Sequence, residues 1–449
     1  MATVLQSIAA QVMSRKTFSG IAVARARDAI TDTVGCMIAG AADATPQAVV
    51  GAFVGDIRTD GASLLVTGGR ASPPLAALIN ATAAHCLDFD DNFHPARAHA
   101  SAVLVPALLA VATADASISG PQLVAAYLAG LEAQALIGFG VNPSHYNRGW
   151  HGTSTVGCIG AAAGVAHLLG LAADRVAQAM VLAASMAAGP KGQFGTAAKP
   201  FHAGMAARNA VEAAFLSRAG LTGRPDILER PQGFLDLFGG DDAVGWSGSY
   251  SDGAHVIETR GLVTKLHPCC ASTHRAVDAA LDLQNEHGFS LDEVVRIETK
   301  VGRSAYDNLA YPDPVDEMQA RFSMQYCLAV ALLQGRLSPS DFTPDAVSGS
   351  PARQYMAKIT MHAYSAEEER GVERLPHQVS VTLQDGRMLH SERLHARGSI
   401  ACPLAEEEKR SKFTDCLRWA GIEGEETHSV LAALGDVPSV REALEGMVR

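Results

Sequence analysis

Residues 85–99 read HCLDFDDNFHPARAH, three aspartates and three histidines in fifteen positions, with an apolar run directly behind them. Carboxylates beside imidazoles orient a histidine and set its tautomer, so this stretch is a candidate for proton transfer. Pro73 and Pro74 open a helix expected to run to about Asp90. At 3.6 residues per turn, Ala77, Ala81, Ala84, Asp88 and Asp91 share one face of it, and His85 lies three residues before Asp88. The alanines let another backbone come close, and the two carboxylates end the row. Pro95 breaks the helix, and His99 precedes a new apolar helix. The alternative is a capping and turn cluster, where Asp and His are common.

Three other segments have a related form. WHGTSTVGCIGAAAGVAHLLG (150–170) places His151 just before a helix capped at Thr153 or Ser154, with Gly157, Gly160 and Gly164 permitting tight helix contact. GTAAKPFHAGMAARNAV (195–211) puts Lys199 before Pro200 at a helix start, with His202 and Arg208 following. A helix dipole disfavours a cation there unless an anion sits beside it. KLHPCCASTHRAVDAA (265–280) gathers Lys265, His267, Cys270, His274 and Arg275 around another helix start. Metal ligation by His267, Cys270 and His274 matches no zinc spacing, and no metal or other cofactor is expected. Tyr326, inside FSMQYCLAVALLQG (322–335), is either a core aromatic or an acid. Each group alone also reads as a solvated side chain or turn residue. Cationic and imidazole groups repeated at helix starts far apart in the chain are what one polar pocket would collect.

The elements that must position these groups follow from periodicity. Up to about residue 265 the chain reads as successive helices: 18–41, 73–90, 101–115, 120–139, 153–169, 172–188 and 200–219. A helix over 272–287, a strand over 293–302, the helix 322–335 and a hairpin over 378–393 turning at Asp385-Gly386 then predict a smaller α+β unit. From about Pro403 the chain returns to helix, ending in one near 427–446. The fold class is therefore mainly α: a large all-helical domain from both chain ends (1–265 and 397–449) with an inserted α+β domain (266–396).

Composition limits the partners. The 449 residues carry a net charge of −11 without a basic run, which excludes nucleic acid as the expected partner. No apolar stretch free of charge reads as a membrane span, no signal-peptide pattern opens the chain, and the eight cysteines form no CxxC pair. A cytoplasmic setting with free thiols is expected. Charged residues are only 18%, which suits surface buried in an oligomer.

The stretches HCLDFDD with HASAVLVPALLA, GWHGTSTVG, AAKPFHAGMAARNAV, KLHPCCASTHRAVDA, ARFSMQYCLAVALL and ARGSIACPLAEEEKRSKF occur in this order from about residue 80 to 413. In them the chain resembles the MmgE/PrpD family, which includes 2-methylcitrate dehydratases, cis-aconitate decarboxylases and iminodisuccinate epimerase. The resemblance implies the two-domain architecture just described, a homodimer, an active site in the cleft between domains, and no metal. Matched by motif, it implies a pocket of Asp88, His99, His151, Lys199, His202, Lys265 and Tyr326, joined by Cys270 and His274. Cys270 stands where the decarboxylases carry a histidine, and DFDDNFHPARAH departs from the longer dehydratase pattern. Both departures favour the epimerase branch.

The expected reaction is proton removal next to a carboxylate of a small di- to tetracarboxylate, without cofactor. Lys199 and Lys265 would stabilise the developing charge, His151 would carry the proton, Tyr326 would be the opposed acid, and Asp88 would hold His99 in one tautomer. His202, Cys270 and His274 would contact substrate. Dehydration and decarboxylation are the alternative lyase reactions, and a non-catalytic carboxylate-binding helical dimer is the alternative outside enzymes.

Overall fold

The structure, a computed structural model, describes residues 2–240, 243–246, 253–372, 374–422 and 426–445. The chain builds two cores. The larger gathers apolar side chains from Leu5 to Ile257 and adds Phe413, Leu417, Leu431, Leu434, Val440 and Leu444 from the far end of the sequence. Its order is set by local signals. Thr3 and Gln6 form a capping box that opens the helix Val4–Ser14, and the Ser19 hydroxyl accepts the Ala22 amide at 3.0 Å to open Gly20–Gly40. Near the end of that second helix Gly35 leaves room for Phe413, whose ring would lie 2.8 Å from a Cβ there. The late helix Glu406–Trp419 thus closes on the N-terminal region.

The helices Ala100–Ala114, Gly120–Val141 and Val156–Leu168 are apolar on all sides, which requires burial on all sides. Gly120–Val141 is long and apolar enough to cross a membrane by length and composition, although Glu132 interrupts its charge-free run. In the fold it serves as a central core helix, with 89% of its apolar window buried by the rest of the protein. Close helix approach explains two of the three glycines in Val156–Leu168. A Cβ on Gly160 would lie 2.7 Å from the Gln134 backbone nitrogen, and one on Gly164 would lie 3.2 Å from the Gly130 Cα. Gly157 has nothing nearer than 3.5 Å.

The smaller core runs from Cys269 to Leu389. The helices Ala271–His287 and Met324–Gln334 pack on a sheet. A two-residue ladder, β1 (Ala62–Ser63) and β2 (Arg70–Ala71), lies in the larger unit. The sheet itself comprises β3 (Val294–Val301), β4 (Ile359–Ala363), β5 (His377–Leu383) and β6 (Met388–Arg393), in the order β4-β3-β5-β6. β3 pairs β4 in parallel and β5 antiparallel. β5 alternates buried and half-buried positions along its length, the period that made it legible. β4 was not expected: it is a five-residue edge strand with only Ile359 fully buried, too short for the apolar–polar alternation of ITMHA to stand out. The expected last helix is two, Glu426–Ala433 and Val440–Glu445, joined through a 3₁₀ turn at Leu434–Asp436; residue 446 lies outside the described residues.

Candidate active site

The helix opened by Pro73 ends at Cys86 rather than near Asp90. Leu87 caps it, and Asp88 takes a left-handed backbone (φ 50°), which Asp tolerates better than most residues. This early stop overturns the shared helical face of Asp88 and Asp91. Once the chain leaves the helix, the three aspartates point to three different tasks. Asp91 turns back to accept the Ser101 hydroxyl and, at 3.3 Å, the Ser101 amide, while Ser101 also bonds Tyr127. Burial pushes the Asp91 carboxyl up to about 7, against the Ser101 hydrogen bond.

The rest of the segment is fastened from several sides. Asn92 and Val263 exchange backbone hydrogen bonds of 3.0 and 2.8 Å, which brings Lys265 alongside. Phe93 and Ala98 close a small loop on each other. Gly152 lies flat on that loop: a Cβ there would meet the Ala96 and Arg97 carbonyls at 2.5 Å. The His99 amide donates to Thr153 Oγ1 at 3.0 Å, tying the start of Ala100–Ala114 to the turn that carries His151. From beneath, Lys412 of the late helix donates to the Phe89 carbonyl at 2.8 Å and pairs with Asp32 at 2.6 Å.

Asp88 is the electrostatic centre. Its Oδ1 accepts from Lys199 Nζ at 2.6 Å and from Lys265 Nζ at 2.9 Å, and Lys265 also donates to the Asp88 carbonyl at 2.7 Å. All three residues are buried. Burial opposes ionisation of Asp88, but the two ammonium groups outweigh it and hold the carboxyl well below its usual range. Burial likewise works against the Lys265 ammonium, and the carboxylates of Asp88 and Asp90 raise its pKa despite that. Lys199 sits in the first turn of Ala198–Arg218, where the dipole repels it; Asp88 supplies the compensating anion. The rings of Phe194 and Phe322 lie 5.4 and 5.0 Å from Lys199 Nζ and bring both domains to the site.

Four imidazoles line the other side. His85 Nδ1 is 2.9 and 3.0 Å from the two Asp90 oxygens, and His99 Nδ1 is 3.1 Å from Asp90 Oδ2. The His85 ring lies 4.4 Å from that of His99 and stacks at 5.8 Å on that of His151. His151 Nδ1 meets His202 Nδ1 at 3.3 Å. Burial lowers the pKa of all four: to about 3 for His85, well below the ordinary value for His151, and by less for His99 and His202. The imidazoles are neutral near pH 7 and therefore proton acceptors. Four buried atoms of the cluster have no well-directed protein hydrogen bond: His85 Nε2, His99 Nδ1, His151 Nε2 and Asp88 Oδ2.

The structure thus brings together Asp88, His99, His151, Lys199, His202 and Lys265. Cys270, at the start of Ala271–His287, lies within the fields of Asp88, Lys199 and Lys265; burial pushes its thiol up and keeps it protonated. Two expected members are elsewhere. The Tyr326 hydroxyl donates to the Asp341 carbonyl at 2.5 Å inside the smaller core, its ring against Phe342. The His274 ring packs at 5.0 Å on His267, with Nε2 3.2 Å from the Cys269 carbonyl. His99 is not held by Asp88, whose Oδ1 is 3.7 Å from His99 Nε2; Asp90 makes the shorter contact. Asp90 is the member that spacing missed, because a helix drawn through it turns it away from Asp88; His85, three residues before Asp88, was within reach on that helix but was not among the expected pocket residues. His85, Asp88, Asp90 and His99 also place ligand atoms within 4.8 Å of one another, as a cation would need. Two ammonium groups on the same Asp88 oxygen oppose a cation and favour an anion there.

Two family models together cover most of the chain. The MmgE/PrpD N-terminal domain matches residues 6–247 and the MmgE/PrpD C-terminal domain residues 267–434. A cis-aconitate decarboxylase of Homo sapiens is 30% identical over 369 residues, 79% of this chain and 75% of the relative. One from Aspergillus terreus is 26% identical, covering 71% of this chain and 69% of its own. A mitochondrial 2-methylcitrate dehydratase of Yarrowia lipolytica is 26% identical, with 92% and 82% covered.

Proposed function

The chain belongs to the MmgE/PrpD family, and on that premise we propose that it is a lyase acting on a small polycarboxylate. The observation that carries this reading is the set of buried, unpartnered atoms, His85 Nε2, His151 Nε2 and Asp88 Oδ2, beside two lysines. An unpaired buried polar group costs about 1–3 kcal/mol, which a ligand's polar groups would relieve. A lysine has three N–H donors. Lys199 gives one to Asp88 and Lys265 gives two, which leaves donors for a substrate carboxylate.

A neutral imidazole takes a proton from the carbon next to that carboxylate. The electron pair moves into the carboxylate, where the ammonium donors stabilise the added charge. Expulsion of a neighbouring hydroxyl, protonated as it leaves, completes a dehydration. Decarboxylation passes through the same kind of carbanion: CO₂ leaves, and an imidazolium returns a proton to carbon. A bound polyanion favours that imidazolium by raising the imidazole pKa. His151 is the first choice for the proton carrier.

One observation favours a second reading, epimerisation of the iminodisuccinate type. The protonated Cys270 thiol comes from the smaller domain, whereas the imidazoles come from the larger one, and an epimerase needs proton groups on opposed faces. The test is proton NMR in deuterated water with cis-aconitate, 2-methylcitrate, citrate and iminodisuccinate, using wild type and His151→Ala. Cleavage of a C–C or C–O bond that His151→Ala loses supports the lyase. Deuterium exchange with epimer formation and no cleavage supports the second reading. Inertness towards all four, or full turnover by His151→Ala, overturns the assignment.

A further inference from the structure

Asp90 is fully buried, and both imidazoles nearest it approach through the same ring atom. His85 Nδ1 lies 2.9 Å and His99 Nδ1 3.1 Å from Asp90 Oδ2. His85 Nδ1 meets Asp90 with hydrogen-bond geometry, whereas His99 Nδ1 is off the hydrogen-bond direction. An ionised carboxylate only accepts hydrogen bonds, and a bare Nδ1 would set its lone pair against those of Asp90, so each Nδ1 facing it carries the proton and each Nε2 is left with a lone pair. We propose that Asp90 is the positioning residue of this site, holding His85 and His99 together in the Nδ1–H tautomer so that both Nε2 atoms face outward as proton acceptors.

Three features support this. First, the neighbouring carboxylate is already committed. Asp88 Oδ1 takes two ammonium donors and is 3.7 Å from His99 Nε2, beyond hydrogen-bond range. Second, Asp90 is ionised: burial opposes this, but its two imidazole contacts outweigh burial and hold it well below the usual carboxylate range. Third, His85 Nε2 has no protein partner, as a ring fixed at its other end to receive a proton would. His85 is thereby a second acceptor beside His99, stacked on His151, so a proton taken by one ring has a neighbour to pass to.

The tautomers are independent of the proposed lyase activity; only the name proton acceptor rests on that reading. The test is therefore made first on the free protein. Histidine-selective ¹⁵N labelling reports the tautomer of each ring by NMR, with His85→Gln and His99→Gln assigning the signals. Wild type is expected to show Nδ1–H at both. In Asp90→Asn the amide can donate to an Nδ1, and at least one ring is expected to switch to Nε2–H. Asp91→Asn, which alters a carboxyl bound to Ser101, leaves both unchanged. Once a substrate is found, Asp90→Asn is expected to lower kcat about a hundredfold with KM little altered, the size seen when an orienting partner is lost. Nε2–H tautomers at these rings in wild type overturn the proposal even if Asp90→Asn does not fold. So does an Asp90→Asn spectrum identical to wild type.

Discussion

Asp88→Asn isolates the charge at the centre of the site. Asparagine keeps the shape and the Oδ1 acceptor, so what is lost is the negative charge between Lys199 Nζ at 2.6 Å and Lys265 Nζ at 2.9 Å. At an effective dielectric near 20, each contact is worth roughly 6 kcal/mol of gross attraction. Desolvation of the carboxylate offsets much of this, and removing one partner of a buried pair costs about 3–5 kcal/mol net. Asp90 also acts on Lys265, which keeps the expected loss near the lower end, about 3 kcal/mol in urea unfolding. The two ammonium groups then lack a counter-charge, and a bound polyanion can supply one. Citrate is therefore expected to stabilise Asp88→Asn by more than it stabilises wild type. A loss under about 1 kcal/mol, the level of a surface pair, would refute the electrostatic account. So would an equal citrate effect on both proteins.

Three other outcomes are expected. The Asp91 carboxyl, held up to about 7, is protonated in the fold at pH values where the unfolded chain has already lost that proton. Stability from this group is therefore present at low pH and falls between about pH 4 and 7, by on the order of 4 kcal/mol; Asp91→Asn removes that slope, so its stability relative to wild type should rise across the window. Gly160→Ala drives a Cβ to 2.7 Å from a backbone nitrogen and should destabilise by about 1–3 kcal/mol, whereas Gly157→Ala in the same helix should be neutral or slightly stabilising, both by thermal unfolding. Tyr326→Phe removes the hydrogen bond to the Asp341 carbonyl and should cost about 1 kcal/mol of stability while leaving kcat unchanged; a large fall in kcat would restore Tyr326 as the acid.

Much of the frame was legible in the residue order. Apolar periodicity and caps located the main helices. Alternation located β3 and the β5–β6 hairpin, and cationic groups in helix first turns pointed to an anion at Lys199. The anion the protein itself supplies there is Asp88.

What the sequence determined by itself was local: which segments are helical, which faces are apolar, which family the motifs resemble, and that titratable groups crowd 85–99. The tertiary structure alone decided their partners. Lys265 reaches Asp88 across 177 positions, Tyr326 turns to Asp341 instead of the pocket, and the division of labour among Asp88, Asp90 and Asp91 follows from a helix that stops at Cys86. The reason is physical. Periodicity records which way a side chain faces along its own element, whereas a buried charge takes its role and its pKa from whatever the fold brings within a few ångströms.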